Sequence, residues 1–367
     1  MRFLHLSDLH IGKRLAGFSL LDEQRKILFD AIEECKKHET HVIVLAGDIY
    51  DVATPSQSAT TLLSDFLIAC NENHIEVLAI PGNHDSAERL GFVSSLLHRE
   101  GIHIVSTIEE SLKPIEIEDA RFFLFPFFKH FDINHAFGKE FETYEEAASY
   151  LLSLLELSKD KANILVAHQT VLPRGKELKR SKSEDVVIGT IMNIDANLFK
   201  DFTYVALGHI HMEQQVADNA IYPGAIYKYD AAEANYEKNF HFVNIDKNGF
   251  QIEKVPILFE KDVRVIEGLF DDIIHQAGSE DYVFLRLLDE ALVESPMEKA
   301  RRVFPNCCGV FSAKIEREMA LENEEIIDED LPPLELLKRF YLWSEGKELS
   351  DYQLSVAQEI LEGEDEE

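Results

Sequence analysis

Five short apolar runs in this chain each end on a cluster of polar residues, and that repetition limits the fold more than any other feature. The runs are Arg2–Leu6, Val42–Ala46, Val77–Ile80, Ile164–Ala167 and Tyr204–Leu207. The clusters that follow them are Asp8-Leu9-His10, Gly47-Asp48, Gly82-Asn83-His84-Asp85, His168 and Gly208-His209-Ile210-His211. Short apolar runs of this kind read as strands buried on both faces. Segments with helical spacing lie between them. Leu21–Lys36 carries Ile27, Leu28, Ala31 and Ile32, Ala59–Asn71 reads as a helix, and a further helix is expected near Tyr144–Leu157. Strands alternating with helices predict an α/β chain with a largely parallel sheet. Ligands of such sheets gather beyond the carboxyl ends of the strands. Loops far apart in sequence can therefore meet there on one site.

The clusters supply oxygen and imidazole donors and no cysteine, a set suited to Mn²⁺ or a similar first-row ion rather than to structural zinc. Asp8 and His10 lie two apart, so an extended strand end would point both the same way, and His209 and His211 repeat the spacing. Asp48 is a short carboxylate fit to bridge two ions, and Asn83 offers a neutral carbonyl oxygen. Gly47, Gly82 and Gly208 allow tight backbone turns beside them. The chemistry this predicts is a two-metal centre, with ions about 3.5–4 Å apart activating a water and clamping phosphate oxygens. His84 could protonate the leaving oxygen. A single Asp-x-His or Gly-Asp is usually a turn or a cap; the ordered set carries the reading.

At 367 residues, of which 46% are hydrophobic, the chain can fill two or three cored domains. No run of about eighteen apolar residues is present, so a membrane-spanning helix is not expected. The opening MRFLHLSDLHIG reads as a first strand rather than a signal peptide. Cys35, Cys70, Cys307 and Cys308 are scattered without metal spacing, which suits a reducing, cytoplasmic setting. The strand-rich pieces Arg121–Phe128 and Phe240–Ile245 complete the first body. The character changes near Pro256. Strands at Asp281–Leu288 and Gly309–Ile315 around a helix at Pro296–Val303 suit a small α+β domain. The acidic run Glu322–Asp330 and Pro332-Pro333 then read as a linker. Two amphipathic helices are expected after it. The first carries Leu334, Leu337, Phe340, Tyr341 and Trp343. The second opens on a capping box, Ser350 with Gln353, and carries Leu354, Ala357, Ile360 and Leu361. Too short to form a core alone, they pack on the body or dock a partner. The expected divisions are residues 1–258, 259–320, the linker 321–333 and the tail 334–367.

In this order the clusters resemble the signature of the calcineurin-like metallophosphoesterase superfamily. The longer strings MRFLHLSDLHIGKRL, LAGDIYDVATPS, PGNHDS, VAHQ, YVALGHIH and YPGAIYKYDAAEANYEKNF resemble, within it, the bacterial SbcD nucleases. The resemblance spans nearly the whole chain. It implies a sandwich of two mixed sheets flanked by helices, a small α+β capping domain and a helical tail. It implies one metal held by Asp8, His10, Asp48 and His211, a second held by Asp48, Asn83, His168 and His209, and His84 as the catalytic histidine. The implied activity is Mn²⁺-dependent cleavage of duplex DNA ends and of single strands and hairpins, with Mg²⁺ as the alternative cofactor. The implied partners are an SbcC-like coiled-coil ATPase, gripped by the tail, and DNA, with the nuclease as a dimer inside a heterotetramer. One departure stands out. Archaeal relatives carry a helper histidine three residues after the Gly-Asp aspartate, where this chain has Asp51. Asp51 and Asp85 are assigned at most places behind the ligands.

The charge is harder to place. With 68 Asp and Glu against 36 Lys and Arg, the net charge is −32, an awkward balance for a protein that binds DNA phosphates. Much of the acidity follows Glu316, and screening over about 8 Å at physiological salt would mute it at the site. Basic residues do occur near the clusters: Lys13 and Arg14 after the first, and Arg174, Lys176, Lys179, Arg180 and Lys182 after His168. They read as backbone-phosphate contacts or as a solvated loop. His38, His41, His74, His98, His103, His130, His135, His241 and His275 read as structural or surface residues, and the Phe-rich run Phe122–Phe131 as core. Two rivals remain at this stage: a small-molecule phosphodiesterase or phosphoprotein phosphatase with the same centre, and a non-catalytic scaffold whose tail recruits a coiled coil.

Overall fold

The computed structural model describes residues 1–172 and 193–315 continuously. Beyond them it describes residues 334, 337, 338, 341, 349, 350, 352–354 and 356. The basic positions Arg174, Lys176, Lys179, Arg180 and Lys182, the linker 321–333, and Phe340, Ile360 and Leu361 lie outside the described residues.

Contacts divide the chain into two units. The first comprises Met1–Val265, Gly278–Phe284 and Phe304–Cys308. Two six-stranded sheets form its centre. In the first sheet, Arg2–Leu6, Val42–Ala46, Glu76–Ile80 and Ile102–Ile104 run parallel. Asn239–Asp246 closes antiparallel on Arg2–Leu6 and forms a hairpin with Gly249–Pro256. In the second, Ala120–Phe125, Ala162–His168, Tyr204–Gly208 and Ala220–Tyr222 run parallel, with antiparallel strands at Ile115–Ile117 and Gln214–Ala217 along the two edges. The sheets are thus mixed. All five strands that the apolar runs marked are parallel, joined by Ile102–Ile104, Ala120–Phe125 and Ala220–Tyr222, and the antiparallel strands carry more alternating or polar sequence.

Side-chain alternation explains the layering, because neighbouring residues of a strand face opposite sides. Phe3, Val42, Val44, Ala46, Leu78 and Ile80 of the first sheet meet Phe122, Leu124, Ile164, Val166, Tyr204 and Ala206 of the second. Phe3 and Phe122 pack edge to face with ring centroids 5.5 Å apart. The other face of the first sheet, with Leu4, Ile43 and Leu45, is covered by helices Leu21–Lys37 and Gln57–Glu72. The other face of the second, with Phe123, Leu165 and Leu207, is covered by Tyr144–Ser153 and His130–Phe137. Ser56 caps Gln57–Glu72 by accepting from the Ala59 amide, and Thr143 with Glu146 makes a capping box for Tyr144–Ser153. Of the Phe-rich run, Phe122, Phe123, Phe125 and Phe128 are buried, and Phe131 is exposed with His130 stacked on it.

The second unit comprises Ile266–Ala277, Leu285–Val303 and Gly309–Glu367. It contains the helices Phe270–Ile274 and Pro296–Ala300. The Phe270 amide is capped by the Asp289 carboxylate, and Arg286 pairs with Glu267. In the tail, Ser350 and Gln353 exchange hydrogen bonds as a capping box, and Gln353 Nε2 donates to the Tyr341 hydroxyl at 3.1 Å. Leu334, Tyr341 and Leu354 are half-buried and Leu337 is exposed. Among the described residues no helix is long and apolar enough to cross a membrane.

Candidate metal centre

All five polar clusters lie in the first unit, at the carboxyl ends of parallel strands from both sheets. Asp8 and His10 follow Arg2–Leu6, Asp48 follows Val42–Ala46, and Asn83 and His84 follow Glu76–Ile80. His168 ends Ala162–His168, and His209 and His211 follow Tyr204–Gly208. Asp8, His10, Asp48, His168 and His211 are buried.

The local backbone corrects one expectation. Asp8 and His10 do not project from an extended strand, because the strand stops at Leu6 and both residues take left-handed conformations, φ 52° and 44°. Asp48 (φ 48°) and His209 (φ 102°) do the same. Left-handed φ is uncommon for residues with a Cβ and is held only where surroundings enforce it. Here the enforcement is visible. The Asp8 amide donates to the Gly47 carbonyl and the His10 amide to the Asp48 carbonyl, so these loops zip together beyond the sheet. The His209 amide donates to the Asp8 carboxylate at 3.0 and 3.1 Å, joining the two sheets. Convergence comes from turns rather than from pleat direction.

Asp48 occupies the middle. Its Oδ2 lies 3.3 Å from His168 Nε2, 3.6 Å from His10 Nε2 and 3.9 Å from His84 Nε2, and its Oδ1 accepts the His84 amide at 3.0 Å. On one side, His10 Nε2 faces His211 Nε2 at 3.0 Å. On the other, the Asn83 side-chain oxygen lies 3.1 Å from His168 Nε2 and 2.9 Å from His209 Nδ1. Asp8 groups with His10 and His211, and with Asp48 and His168, at distances that could hold a cation. Lone-pair-bearing atoms crowded so closely repel one another unless protons or cations stand between them, so the donor set fits divalent ions. Glycine makes the crowding possible. A Cβ on Gly47 would overlap the His168 ring, and one on Gly208 would overlap the Ala46 carbonyl oxygen.

The electrostatics follow from this geometry. Burial pushes the Asp48 carboxyl up, but the facing imidazoles of His168, His10 and His84 outweigh it and hold the group well below the usual range. Burial opposes charge on His168, yet Asp48 beside it raises its pKa to about 9. His10 is lowered, chiefly by burial. Asp85 accepts the amides of Ile49, Tyr50 and Gly82 and so ties the second and third clusters together; burial, then Asp48, lift it to about 6. Burial raises Asp51, but hydrogen bonds from His10 and Lys13 bring it to about 2. Lys13 Nζ sits 2.7 Å from Asp51, and Arg14 donates to the Gly17 carbonyl at the exposed surface.

Several residues around the centre were not singled out from sequence. Gln24 Nε2 donates to the carbonyls of Leu9 and His10, and the Tyr229 hydroxyl donates to Leu9, bracing the first loop from below. Glu233 and Lys238 stand behind His211. Their signal was charge inside an aromatic, apolar segment: in YPGAIYKYDAAEANYEKNF the glutamate at 233 and the lysine at 238 are both buried.

The sequence comparisons agree with this geometry. A family model described as calcineurin-like phosphoesterase matches residues 1–213, which contain all five clusters. The SbcD component of the SbcCD nuclease of Staphylococcus epidermidis is 31% identical, covering 98% of this chain and 96% of its own length. That of Staphylococcus saprophyticus is 30% identical, covering 98% of each. Among solved structures, a dimetal phosphatase from Danio rerio aligns with TM-score 0.40 and 14% identity, covering 71% of this chain and 99% of its own. With a family match that runs through His211 and relatives similar end to end, the chain belongs to the calcineurin-like phosphoesterases, as a member of the SbcD type, and is a metal-dependent hydrolase.

Proposed function

We propose that this chain is the nuclease component of a DNA-processing complex and cuts phosphodiester bonds with two divalent cations, Mn²⁺ before Mg²⁺. The observation that carries the reading is the central position of Asp48, within 3.3 Å of His168 Nε2 and 3.6 Å of His10 Nε2. One cation would be held by Asp8, His10, Asp48 and His211, and the other by Asp48, Asn83, His168 and His209. When bound, such a pair lowers the pKa of a water and neutralises charge on the phosphate oxygens.

The chain's own groups do the rest. Asp48 stays ionised at neutral pH. His84 gives its Nδ1–H to the Asp51 carbonyl at 3.0 Å, which leaves Nε2 facing the centre, 3.9 Å from Asp48. As an imidazolium, His84 can pass the Nε2 proton to the leaving oxygen. Asp85 holds the Asp48 and Asn83 loops in register through its three amide contacts. Lys13, Arg14 and the basic positions from Arg174 to Lys182 would meet backbone phosphates.

The substrates proposed are duplex DNA ends, single strands and hairpins. The setting is cytoplasmic, with two nuclease chains joined to an SbcC-like coiled-coil ATPase. Residues 259–320 would serve as the capping domain. The tail would grip the coiled coil, with Leu334, Leu337, Phe340, Tyr341, Leu354, Ile360 and Leu361 as its apolar contacts. Incubation with linear and hairpin DNA, Mn²⁺, ATP and the ATPase partner tests the reading, with an Asp48→Asn variant as the control. Cleavage that the variant lacks is expected. Intact metal binding with no DNA cleavage, beside strong hydrolysis of cyclic nucleotides or phosphoproteins, would move the substrate class to the rival phosphoesterases.

A further inference from the structure

Behind the imidazoles of one proposed metal position stand two lysine–carboxylate pairs. Glu233, fully buried, places Oε1 3.5 Å from His211 Nδ1. Its other oxygen, Oε2, is 2.5 Å from Lys238 Nζ. Lys238, also buried, donates to the His211 backbone carbonyl at 2.9 Å. The pair therefore grips His211 at both its ring and its main chain. On the opposite side of the same position, Asp51 Oδ1 lies 3.5 Å from His10 Nδ1 and 2.7 Å from Lys13 Nζ. Glu233 draws the His211 ring N–H outward at Nδ1, and the Asp51 carboxylate faces His10 Nδ1 without closing a hydrogen bond to it; both Nε2 atoms turn inward, where they face each other at 3.0 Å. His168, assigned to the other position, gives its Nδ1–H to a neutral backbone carbonyl, Ala46, at 2.8 Å.

Burying an ion pair seldom stabilises a fold, because desolvation offsets the attraction. An arrangement such as Glu233–Lys238 is better explained by what it orients. A carboxylate behind a metal-binding imidazole fixes its tautomer and raises its basicity, and a neutral carbonyl does so less. We propose that Glu233, anchored by Lys238, is a positioning residue for His211, and that with Asp51 it makes the Asp8–His10–Asp48–His211 position the tighter of the two. The chain then fills stepwise, that position first. The inference rests on the two-position reading above.

Calorimetric titration of Mn²⁺ into the metal-free full-length chain tests it, with electron paramagnetic resonance counting bound ions. Wild-type protein is expected to bind in two steps. Glu233→Gln and Asp51→Asn should each weaken the tighter step about 10–100-fold and leave the weaker step nearly unchanged. Because Glu233→Gln strands the Lys238 charge, the double variant Glu233→Leu/Lys238→Met serves as the partner measurement. It should still unfold in one cooperative metal-free transition, which shows that it is folded, and still lose the tighter step. Unchanged tight binding in the double variant would overturn the positioning role, with the two-metal centre intact. Wild-type chain that binds no Mn²⁺ would overturn both readings.

Discussion

Gly82 stands so close to Asp48 that a Cβ on the glycine would overlap the Asp48 Oδ1 and its backbone nitrogen. What the position requires is space rather than an unusual backbone angle. Gly82→Ala should push the Asp48 carboxylate aside by a fraction of an ångström or more. Misplacement of about 1 Å in a site of this kind costs roughly 10²-fold in rate. Turnover of an aryl phosphodiester should fall by that order and Mn²⁺ binding should weaken; a variant with wild-type values in both would show that the loop yields harmlessly.

His84 should separate binding from chemistry. Its ring nitrogens face the Asp51 carbonyl and Asp48, and it belongs to neither proposed ligand set. His84→Ala is expected to keep both bound ions while turnover falls by about 10²–10⁴-fold, the usual contribution of a positioned proton donor. Equal rates for variant and wild type would remove the histidine from the mechanism.

Two buried histidines away from the metal centre should cost the fold stability on mild acidification. His5 is held well below its ordinary value of 6.5, first by burial and then by His241 opposite it. His103 is lowered by burial and by His98. Below pH 6.5 the unfolded chain takes up protons that these folded histidines refuse. Stability present above that pH is therefore lost as pH drops through it, until the folded pKa values are reached. His168 and Asp85, whose pKa values are raised, oppose this loss over the same range, so the test is a difference: from about pH 7.5 to 5 the urea midpoint of chelator-treated wild type should fall further, or rise less, than that of His103→Asn, and identical profiles would contradict the neutral burial of His103.

The tail is testable by removal. A chain ending at residue 333 should retain metal content and aryl phosphodiesterase activity but no longer co-purify with the coiled-coil ATPase. Undiminished association would place the partner contact elsewhere.

Much of the site was legible because its residues sit where short apolar runs stop, a pattern local enough to read by eye. Asp48, His168 and His209 were found that way. The reason they converge was not legible: a two-residue offset suggested a pleat, whereas Asp8 and His10 reach the centre through left-handed turns set by bonds to Gly47 and Asp48. Gln24, Tyr229, Glu233 and Lys238 escaped notice for a related cause. They act from a helix and a loop, and only burial brings them beneath the proposed ligands. For the fold, helix and strand cores were predictable from periodicity. The antiparallel closure of Asn239–Asp246 on Arg2–Leu6 is a pairing that no local pattern encodes.

The bond from His168 to the Ala46 carbonyl crosses from one leaf of the sandwich to the other. Each proposed ion would likewise take ligands from both leaves, and so act as a rivet through the seam. Ions that bind only the closed sandwich stabilise it by mass action. Removing the ions with a chelator should therefore lower the unfolding temperature of the whole sandwich, so that a shortage of the metal weakens the scaffold together with its chemistry.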